Sequence, residues 1–258
     1  MNKQSSHYGL TLVIGGTGKT GRRVAERLEQ MGREVRIGSR SSVPSFDWDR
    51  EESWSAALDG VTNLYITYSP DLAMPGAADA IQALVQRAKQ AGAKRLVLLS
   101  GRGEEEAQAC EQIVIESGLE WTVVRASWFN QNFSEGAFND IADVAVAALT
   151  EDGHNGEIYE VTGPRLMTMV DIAADLSNAA GRQIAYVDVP HSAFIDEITN
   201  SGAPKEVVWM LDYLFSAVLD GRNAHLTDGV QRALGRLPKD FADYAKETAA
   251  TGVWRAAA

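Results

Sequence analysis

The stretch LTLVIGGTGKTGRRVAERLEQMGREVRIGSR, residues 10–40, decides the fold of this chain. Its apolar start, residues 10–14, is typical of a buried strand and leads directly into a glycine-rich turn. The turn is followed by three apolar residues at helical spacing, which are Val24, Leu28 and Met31. A second apolar segment, residues 34–37, completes the pattern. The sequence therefore predicts a strand–helix–strand unit with its glycines at the first turn.

The glycines of this turn, Gly15, Gly18 and Gly21, are suited to binding a phosphate group. A pyrophosphate needs backbone N–H donors at close range, and a side chain larger than hydrogen would obstruct its approach. The following helix directs the partial positive charge of its N-terminus at the same anion. The spacing is G-x-x-G-x-x-G rather than the G-x-G-x-x-G of dehydrogenases, but the strand and helix around it supply the expected context. We predict a dinucleotide site; the alternative is a tight turn that binds nothing.

The end of the second predicted strand indicates which dinucleotide is bound. An NAD site usually carries an acidic residue there, whereas an NADP site has an arginine nearby. This chain has Ser39 and Arg40 at that position, with no carboxylate beside them. A guanidinium next to hydroxyl groups suits a 2′-phosphate, and Lys19 in the glycine turn adds a second positive charge. NADP(H) is therefore the predicted cofactor, unless Arg40 is an ordinary surface arginine.

Composition restricts the classes of function. With 35 acidic and 24 basic residues the chain has a net charge of −11, which argues against nucleic acid as a partner. The single cysteine, Cys110, cannot form an internal disulfide, and no apolar run approaches the ~18 residues of a membrane span. The polar head, residues 1–8, lacks the apolar core of a signal peptide. We expect a cytoplasmic protein with no membrane partner, and the dispersed histidines predict no metal site.

Further strands are expected before Asp47 and at residues 63–67, 95–99 and 121–125. Continuous apolar runs of this kind suit a parallel sheet that is buried on both faces. The fold class predicted is α/β, a doubly wound parallel sheet. At the end of the expected third strand, Asp47 would accept a hydrogen bond from adenine, and Trp48 would either pack on the adenine ring or cover the core.

The second half of the chain reads as mostly helical, with strands expected at residues 156–162 and 184–189. Bulky apolar residues concentrate between residues 209 and 215. They predict either a region that covers the substrate or the contact face of a homodimer.

An aromatic and amide-rich segment follows the strand at 121–125. Open α/β sheets bind ligands at the carboxyl ends of their strands, so we predict that this segment forms a wall for a small-molecule substrate. The predicted substrate residues are Trp128, Phe129, Asn132 and Phe133. The alternative is that these rings pack beneath the C-terminal region.

Taken together, the chain resembles the NmrA-like atypical short-chain dehydrogenases, and more narrowly the ergot alkaloid (agroclavine or festuclavine) dehydrogenases and their bacterial relatives. The resemblance rests on GGTGKTGRR at 15–23, Ser39-Arg40, FDW at 46–48, LLS at 98–100, GLEWTVVR at 118–125 and the Trp128-Phe129 and Asn132-Phe133 pairs. It implies a Rossmann-type NADP(H)-binding domain at residues 1–134. It also implies a mostly helical substrate-cleft region at residues 135–258, with some elements returning to the sheet.

The resemblance does not supply a catalytic dyad. Typical members of the superfamily use Tyr-x-x-x-Lys, which occurs nowhere in this chain, and the two positions fall near Gly103 and Ala107. The hydroxyls expected nearest the nicotinamide are those of Ser100 and Tyr68, the weak catalytic candidates. The full set predicted to bind the cofactor is Gly15, Thr17, Gly18, Lys19, Thr20, Ser39, Arg40, Asp47, Trp48, Thr67, Tyr68 and Ser100.

Two functions remain open at this point. The first is an NADPH-dependent reductase whose acceptor needs little acid assistance, such as an imine or iminium, a quinone or an activated enone. The second is a non-catalytic NADP(H)-binding redox sensor of the NmrA type, in which the aromatic cluster would be core. The loop between Ser134 and Ile141 is also shorter than the resemblance implies, so either it is truly shortened or a segment is missing.

Overall fold

A computed structural model describes residues 9–134 and 140–254. The polar head at 1–8 and most of the short loop, residues 135–139, lie outside the described residues. Six parallel strands form one sheet in the order β2-β1-β3-β4-β5-β6. Their bounds are β1 Leu10–Ile14, β2 Val35–Gly38, β3 Val61–Ile66, β4 Arg95–Gly101, β5 Glu120–Ala126 and β6 Glu157–Val161. The doubly wound parallel sheet predicted from the sequence is confirmed.

The helices follow the apolar periodicity of the sequence closely. They are α1 Gly21–Gln30, α2 Trp54–Leu58, α3 Ala77–Gln90, α4 Glu105–Ile115, α5 Asp140–Thr150, α6 Met169–Ala180, α7 His191–Asn200, α8 Lys205–Tyr213, α9 Gly229–Leu234 and α10 Phe241–Ala250. A π-helical turn, Leu214–Val218, continues α8 and presents a different face from the α-helix before it. No helix within the described ranges is long and apolar enough to cross a membrane.

The core has one apolar layer on each face of the sheet. The first layer packs α2, α3 and α4 against the strands, with Trp54 and Ile81 fully buried in it. The second packs α1 and α5 on the opposite face, around Val24 and Tyr65. A third, smaller cluster joins α6 to α10 around Phe241 and Tyr244. The central strands are mostly apolar, as expected for strands with both faces covered.

The direction of the strand order reverses at β1. The chain moves outward from β1 to β2 and then returns to place β3 on the other side of β1. In sheets of this kind a crevice opens outside the carboxyl ends of the strands at such a reversal, which is where ligands bind. The glycine turn between β1 and α1 lies at this crevice.

Three local predictions were wrong. The residues directly before Asp47 do not form a strand. Instead, the N–H of Phe46 donates to the carbonyl of Ser39 at 2.8 Å and closes a loop. Residues 184–189 are also not a strand, because among the described residues no sheet edge is beside them, and Ile184 bonds through its backbone to the Ser177 hydroxyl. Met31 lies one residue past the end of α1 and is half exposed rather than part of the buried stripe.

Close backbone packing within the glycine turn generates a stability prediction. A Cβ on Gly21 would overlap the carbonyl group of Gly15, and neither backbone can move without disturbing β1 or α1. We expect Gly21→Ala to lower the free energy of unfolding by about 1–3 kcal/mol, the usual penalty for overpacking. The control is Gly163→Ala, because a Cβ on Gly163 meets no atom within 4 Å. Urea denaturation measures both variants, and equal stability of the two would contradict this account of the turn.

Candidate functional site

A cleft of about 950 Å³ runs across the carboxyl ends of the strands, from the end of β2 to the end of β5. All twelve residues that the sequence predicted to bind the cofactor line this cleft. They come from the ends of β1, β2, β3 and β4, which the topology brings to one edge of the sheet. Their proximity agrees with the prediction, while the role of each residue remains a prediction.

The glycine turn at one side of the cleft has a tightly packed backbone that only glycine permits at Gly15. Gly15 adopts φ +70°, a left-handed conformation that favours glycine, and its N–H donates to the carbonyl of Gly38 at 2.8 Å. A Cβ on Gly15 would overlap the hydroxyl of Thr67, which donates to the carbonyl of Ile14 at 3.0 Å. Thr17 and Gly18 are exposed at the mouth of the turn, with the N-terminus of α1 behind them. The turn thus lies against the N-terminus of α1, an arrangement that suits a pyrophosphate.

Arg40 stands at the end of β2 with an exposed side chain that has no hydrogen-bond or ion-pair partner among the described residues. The turn that presents it is organised by Ser42, whose hydroxyl donates to the carbonyls of Ser39 and Pro44 at 2.8 and 2.9 Å. The Ser42 hydroxyl also accepts from the N–H of Ser39 at 3.0 Å. A guanidinium without a protein partner, held beside the Ser39 hydroxyl, fits a 2′-phosphate. Ser42 was not singled out in the sequence because its role depends on the shape of the turn.

Trp48 takes part in both arrangements that the sequence left open. Its ring packs edge-on against Phe46 and Trp54, with ring centroids 5.1 and 5.7 Å apart, so it covers the core. The same ring lines the cleft, packs 4.9 Å from Tyr68, and donates through Nε1 to the carbonyl of Thr67 at 3.2 Å. Trp48 is therefore fixed in orientation at the cleft wall, which suits stacking of an aromatic base.

Ser100 lies at the end of β4 and is almost completely buried. Its hydroxyl donates to Oε1 of Glu111 at 2.6 Å, so its proton is directed into the protein rather than toward the cleft. Tyr68 is half-buried at the end of β3, and burial together with the nearby Asp49 raises the pKa of its phenol above the ordinary value. Neither hydroxyl is arranged as a ready proton donor at neutral pH.

Glu111 begins a chain of buried and partly buried charges beneath this end of the cleft. Arg125 on β5 donates to it from Nε at 2.8 Å, and from Nη1 to Glu160 on β6 at 3.2 Å. Arg102 also donates to Glu160, at 3.2 Å, and its other nitrogens donate to the carbonyls of Asn223 and His225 at 3.1 and 3.0 Å. This ion chain ties three strands to the C-terminal region. No periodic pattern in the sequence indicates this ion chain, because the partners come from separate elements.

Glu104, the residue before α4, was not singled out in the sequence, where three consecutive glutamates suggested only a helix start. Its side chain lines the cleft, the residue is 4% exposed, and Oε2 has no hydrogen-bond partner among the described residues. Burial, with the neighbouring carboxyl of Asp71 as the next cause, raises the pKa of Glu104 to about 8. This acid therefore holds a proton at neutral pH at the edge of the cleft.

A second cleft of about 860 Å³ lies beside the first and shares part of its wall. Of the predicted substrate residues, Trp128, Phe129 and Asn132 line both clefts and Phe133 lines the second. Phe129 also packs against the second core layer, and Phe133 packs on Phe241 with ring centroids 5.4 Å apart, so two of the four contact core clusters as well. The lining of the second cleft is mostly apolar, which suits a substrate with aromatic or aliphatic surface.

Trp128 stands where the two clefts meet. It has φ +55°, a conformation that a bulky residue adopts only when the surroundings impose it. Its ring packs against Phe215 in the π-helical turn, which in turn contacts Phe194 in α7, with ring centroids 5.2 and 5.1 Å apart. The apolar segment at 209–215, which includes Phe215, predicted either a region that covers the substrate or a dimer face, whereas Phe194 was not identified from the sequence. The glycine turn contacts this region too, since Lys19 Nζ donates to Asn132 Oδ1 at 3.2 Å.

Comparison with known sequences agrees with this geometry. A family model described as NAD(P)H-binding matches residues 15–152. The oxidoreductase YesF of Bacillus subtilis is 30% identical, over 94% of this chain and 97% of its own length. An NAD(P)H azoreductase of Xenophilus azovorans is 30% identical, over 93% and 98%. Agroclavine dehydrogenase of Claviceps fusiformis is 29% identical, over 94% and 98%. The predicted likeness to ergot alkaloid dehydrogenases is confirmed.

Two solved structures share the fold. The NADPH-dependent quinone oxidoreductase QOR2 of Escherichia coli, complexed with NADPH, aligns with a TM-score of 0.75 at 20% identity, over 93% of this chain and 99% of that one. NmrA, a negative transcriptional regulator, in complex with NADP, aligns with a TM-score of 0.67 at 15% identity, over 96% and 99%. At these identities the likeness shows the fold alone, and it confirms the Rossmann-type, NmrA-like architecture.

The ion chain generates a stability prediction for Glu111, whose side chain is 2% exposed. We expect Glu111→Gln to lower the free energy of unfolding by about 3 kcal/mol or more, because the buried Arg125 loses its strongest counter-charge. The control is Glu120→Gln, whose partly exposed ion pair with Arg95 is expected to contribute less than about 1 kcal/mol. Guanidinium denaturation measures both, and a larger loss at Glu120 would contradict the assignment.

The raised pKa of Glu104 predicts a specific dependence of stability on pH. The folded protein holds this proton up to about pH 8, whereas the unfolded chain releases it near the ordinary value of 4.5. The contribution of Glu104 is therefore full at acidic pH and declines as pH rises through this window. Glu104→Gln should remove the decline, so the variant gains stability relative to the native protein as pH increases. Urea denaturation at a series of pH values tests this, and parallel curves for the two proteins would refute it.

Proposed function

This chain belongs to the NAD(P)H-binding, NmrA-like family of oxidoreductases, and we propose that it is an NADPH-dependent reductase of small organic molecules. Its acceptor would be an imine or iminium, a quinone or an activated enone, reduced without a Tyr–Lys dyad. The observation that carries the proposal is the mostly apolar second cleft, which shares the wall of Trp128 and Phe129 with the cofactor cleft. This arrangement allows a substrate to lie beside a bound dinucleotide.

The residues at the strand ends fit NADPH in size and chemistry. The backbone N–H groups of the glycine turn and the N-terminus of α1 would hold the pyrophosphate. Arg40 and Ser39 would bind the 2′-phosphate, with Trp48 and Asp47 beside the adenine. When bound, this cofactor supplies a hydride to the acceptor. An acidic exterior does not oppose its binding, because the positive charges of Arg40 and Lys19 are local to the cleft.

The aromatic wall supports a flat, apolar acceptor. Trp128, Phe194 and Phe215 form a connected set of rings that lines both clefts. Rings in such a set contribute apolar area and orient a flat molecule by stacking, while the Asn132 amide offers a polar contact. The names of the relatives, which include an azoreductase and a clavine dehydrogenase, are consistent with acceptors of this kind.

The first experiment is a fluorescence titration of the purified protein with NADPH and NADH. A panel of imines, quinones and enones is then added, and oxidation of the nicotinamide is followed by its absorbance. We expect tight binding of NADPH and its oxidation by at least one member of the panel. Tight binding of NADPH without its oxidation by any member of the panel would instead favour the non-catalytic NADP(H) sensor.

The preference for NADPH generates a prediction at Arg40. We expect Arg40→Ala to weaken NADPH binding by about 1.5–3 kcal/mol, the value of a hydrogen bond to a charged group, and to leave NADH binding almost unchanged. The control is Arg182→Ala, an exposed arginine outside the cleft. Fluorescence titration measures both cofactors on both variants, and an equal loss for NADPH and NADH would exclude Arg40 as the 2′-phosphate ligand.

A further inference from the structure

Glu104 is a buried acid that lines the cofactor cleft but is not among the residues proposed to bind the cofactor. It follows β4, next to Ser100 and Gly101 along the cleft wall. Its carboxyl group lies against Gly101, where the Cβ of any other residue would overlap its oxygen atoms. The side chain is thus accommodated by a glycine and left without a hydrogen-bond partner at Oε2 within the described part of the chain. An unpaired buried oxygen costs free energy of folding. In a residue that lines a ligand cleft, such an oxygen is a candidate for contact with the ligand.

The groups that face Glu104 favour its protonated form. Asp71, from the loop after β3, acts on the Glu104 carboxyl through its charge and through a side-chain hydrogen bond, and Glu106 is the second residue of α4. Tyr213 approaches from α8 and donates to Glu106 at 2.9 Å. Cys110, buried in α4, is close to Asp71 as well. None of the groups that act on the Glu104 carboxyl is a cation, so nothing among them stabilises its ionised form.

We propose that Glu104 is the proton donor of this reductase and that its acceptors are neutral molecules, such as quinones and enones, rather than iminium ions. The inference rests on the proposed reductase function and narrows its substrate class. A neutral acceptor that gains a hydride becomes an anion and requires a proton, whereas an iminium ion becomes a neutral amine and requires none. The chain has no Tyr-x-x-x-Lys segment, and the Ser100 proton is directed to Glu111. Burial raises the pKa of Tyr68 and makes its phenol a weaker acid, so Glu104 is the acid left at this wall.

The hydride and the proton reach the acceptor from different groups. The acceptor receives a hydride, with its two electrons, from NADPH, which leaves as NADP⁺. The resulting electron pair on the acceptor oxygen takes the proton from the carboxyl of Glu104 as the O–H bond of the acid breaks. Glu104 is left as a carboxylate, which regains a proton from water before the next turnover. Asp71 keeps that carboxylate basic enough to recover the proton at neutral pH, because two adjacent carboxylates resist being ionised together.

The test compares a neutral acceptor, 1,4-naphthoquinone, with a permanently charged one, N-methyl-3,4-dihydroisoquinolinium. We expect Glu104→Gln to lower kcat for the quinone by on the order of 10²–10⁴-fold, the usual contribution of a positioned acid. The rate with any iminium ion that the native protein reduces should be unchanged. The matched control, Glu105→Gln, alters the exposed neighbouring glutamate and should leave both rates unchanged. In the native protein kcat for the quinone should fall as pH rises through about 8, and in the variant that fall should be absent.

A second measurement reads the proton without turnover. Infrared spectroscopy of the cofactor-free protein near neutral pH should show a protonated carboxyl band that Glu104→Gln removes and Glu105→Gln retains. A native protein that reduces the quinone while Glu104→Gln matches it overturns the donor role and leaves the reductase intact. Equal losses with both acceptors, or no carboxyl band, also overturn the donor role. A native protein that binds NADPH but reduces neither acceptor overturns the reductase itself and the donor role with it.

Discussion

The carboxylate of Glu111 is the constraint on which the architecture of the site depends. It is buried beneath the ends of β4 and β5, accepts hydrogen bonds from Ser100 and Arg125, and through Arg125 is connected to Glu160 and Arg102. Buried charges are tolerated only when they are paired and hydrogen-bonded, so each member of the chain fixes the position of the next. The last member, Arg102, holds the backbone of the C-terminal region against the sheet.

This connection explains how two clefts come to share one wall. The segment after β5 leaves the sheet just above Arg125 and carries Trp128 into a strained backbone conformation. The π-helical turn after α8 brings Phe215 onto the Trp128 ring, while Arg222 donates to the carbonyl of Gly103 at 3.1 Å. Side chains at the boundary therefore line both the cleft at the strand ends and the mostly apolar second cleft. That juxtaposition is what a hydride-transfer site needs, because the two reactants must meet with water excluded.

Much of the cofactor cleft could be predicted from the sequence because its signals are local. Gly15, Gly18 and Arg40 are recognisable by their spacing from apolar strands, and parallel strands bring their carboxyl ends to one edge whatever the details of packing.

Secondary-structure prediction failed where the local sequence pattern and the tertiary environment disagreed. The segment at 184–189 is mostly apolar and was predicted as a strand, but a strand requires a partner and the described part of the fold has none beside it. The residues before Asp47 form a loop, in which Phe46 packs on Trp48 and Trp54 instead of extending the sheet.

The sequence by itself determined the parallel α/β sheet, the glycine turn after β1, the arginine at the end of β2 and the aromatic segment after β5. These features follow from covalent order and from periodicity, which no later packing can change. Only the tertiary structure decided which acids are paired and which is left protonated. Glu104 and Glu111 lie at the start of α4 and within it, yet one faces Asp71 and the other faces Arg125. Charge pairing depends on which elements, distant in sequence, are in contact in the fold, and the sequence alone does not reveal those contacts.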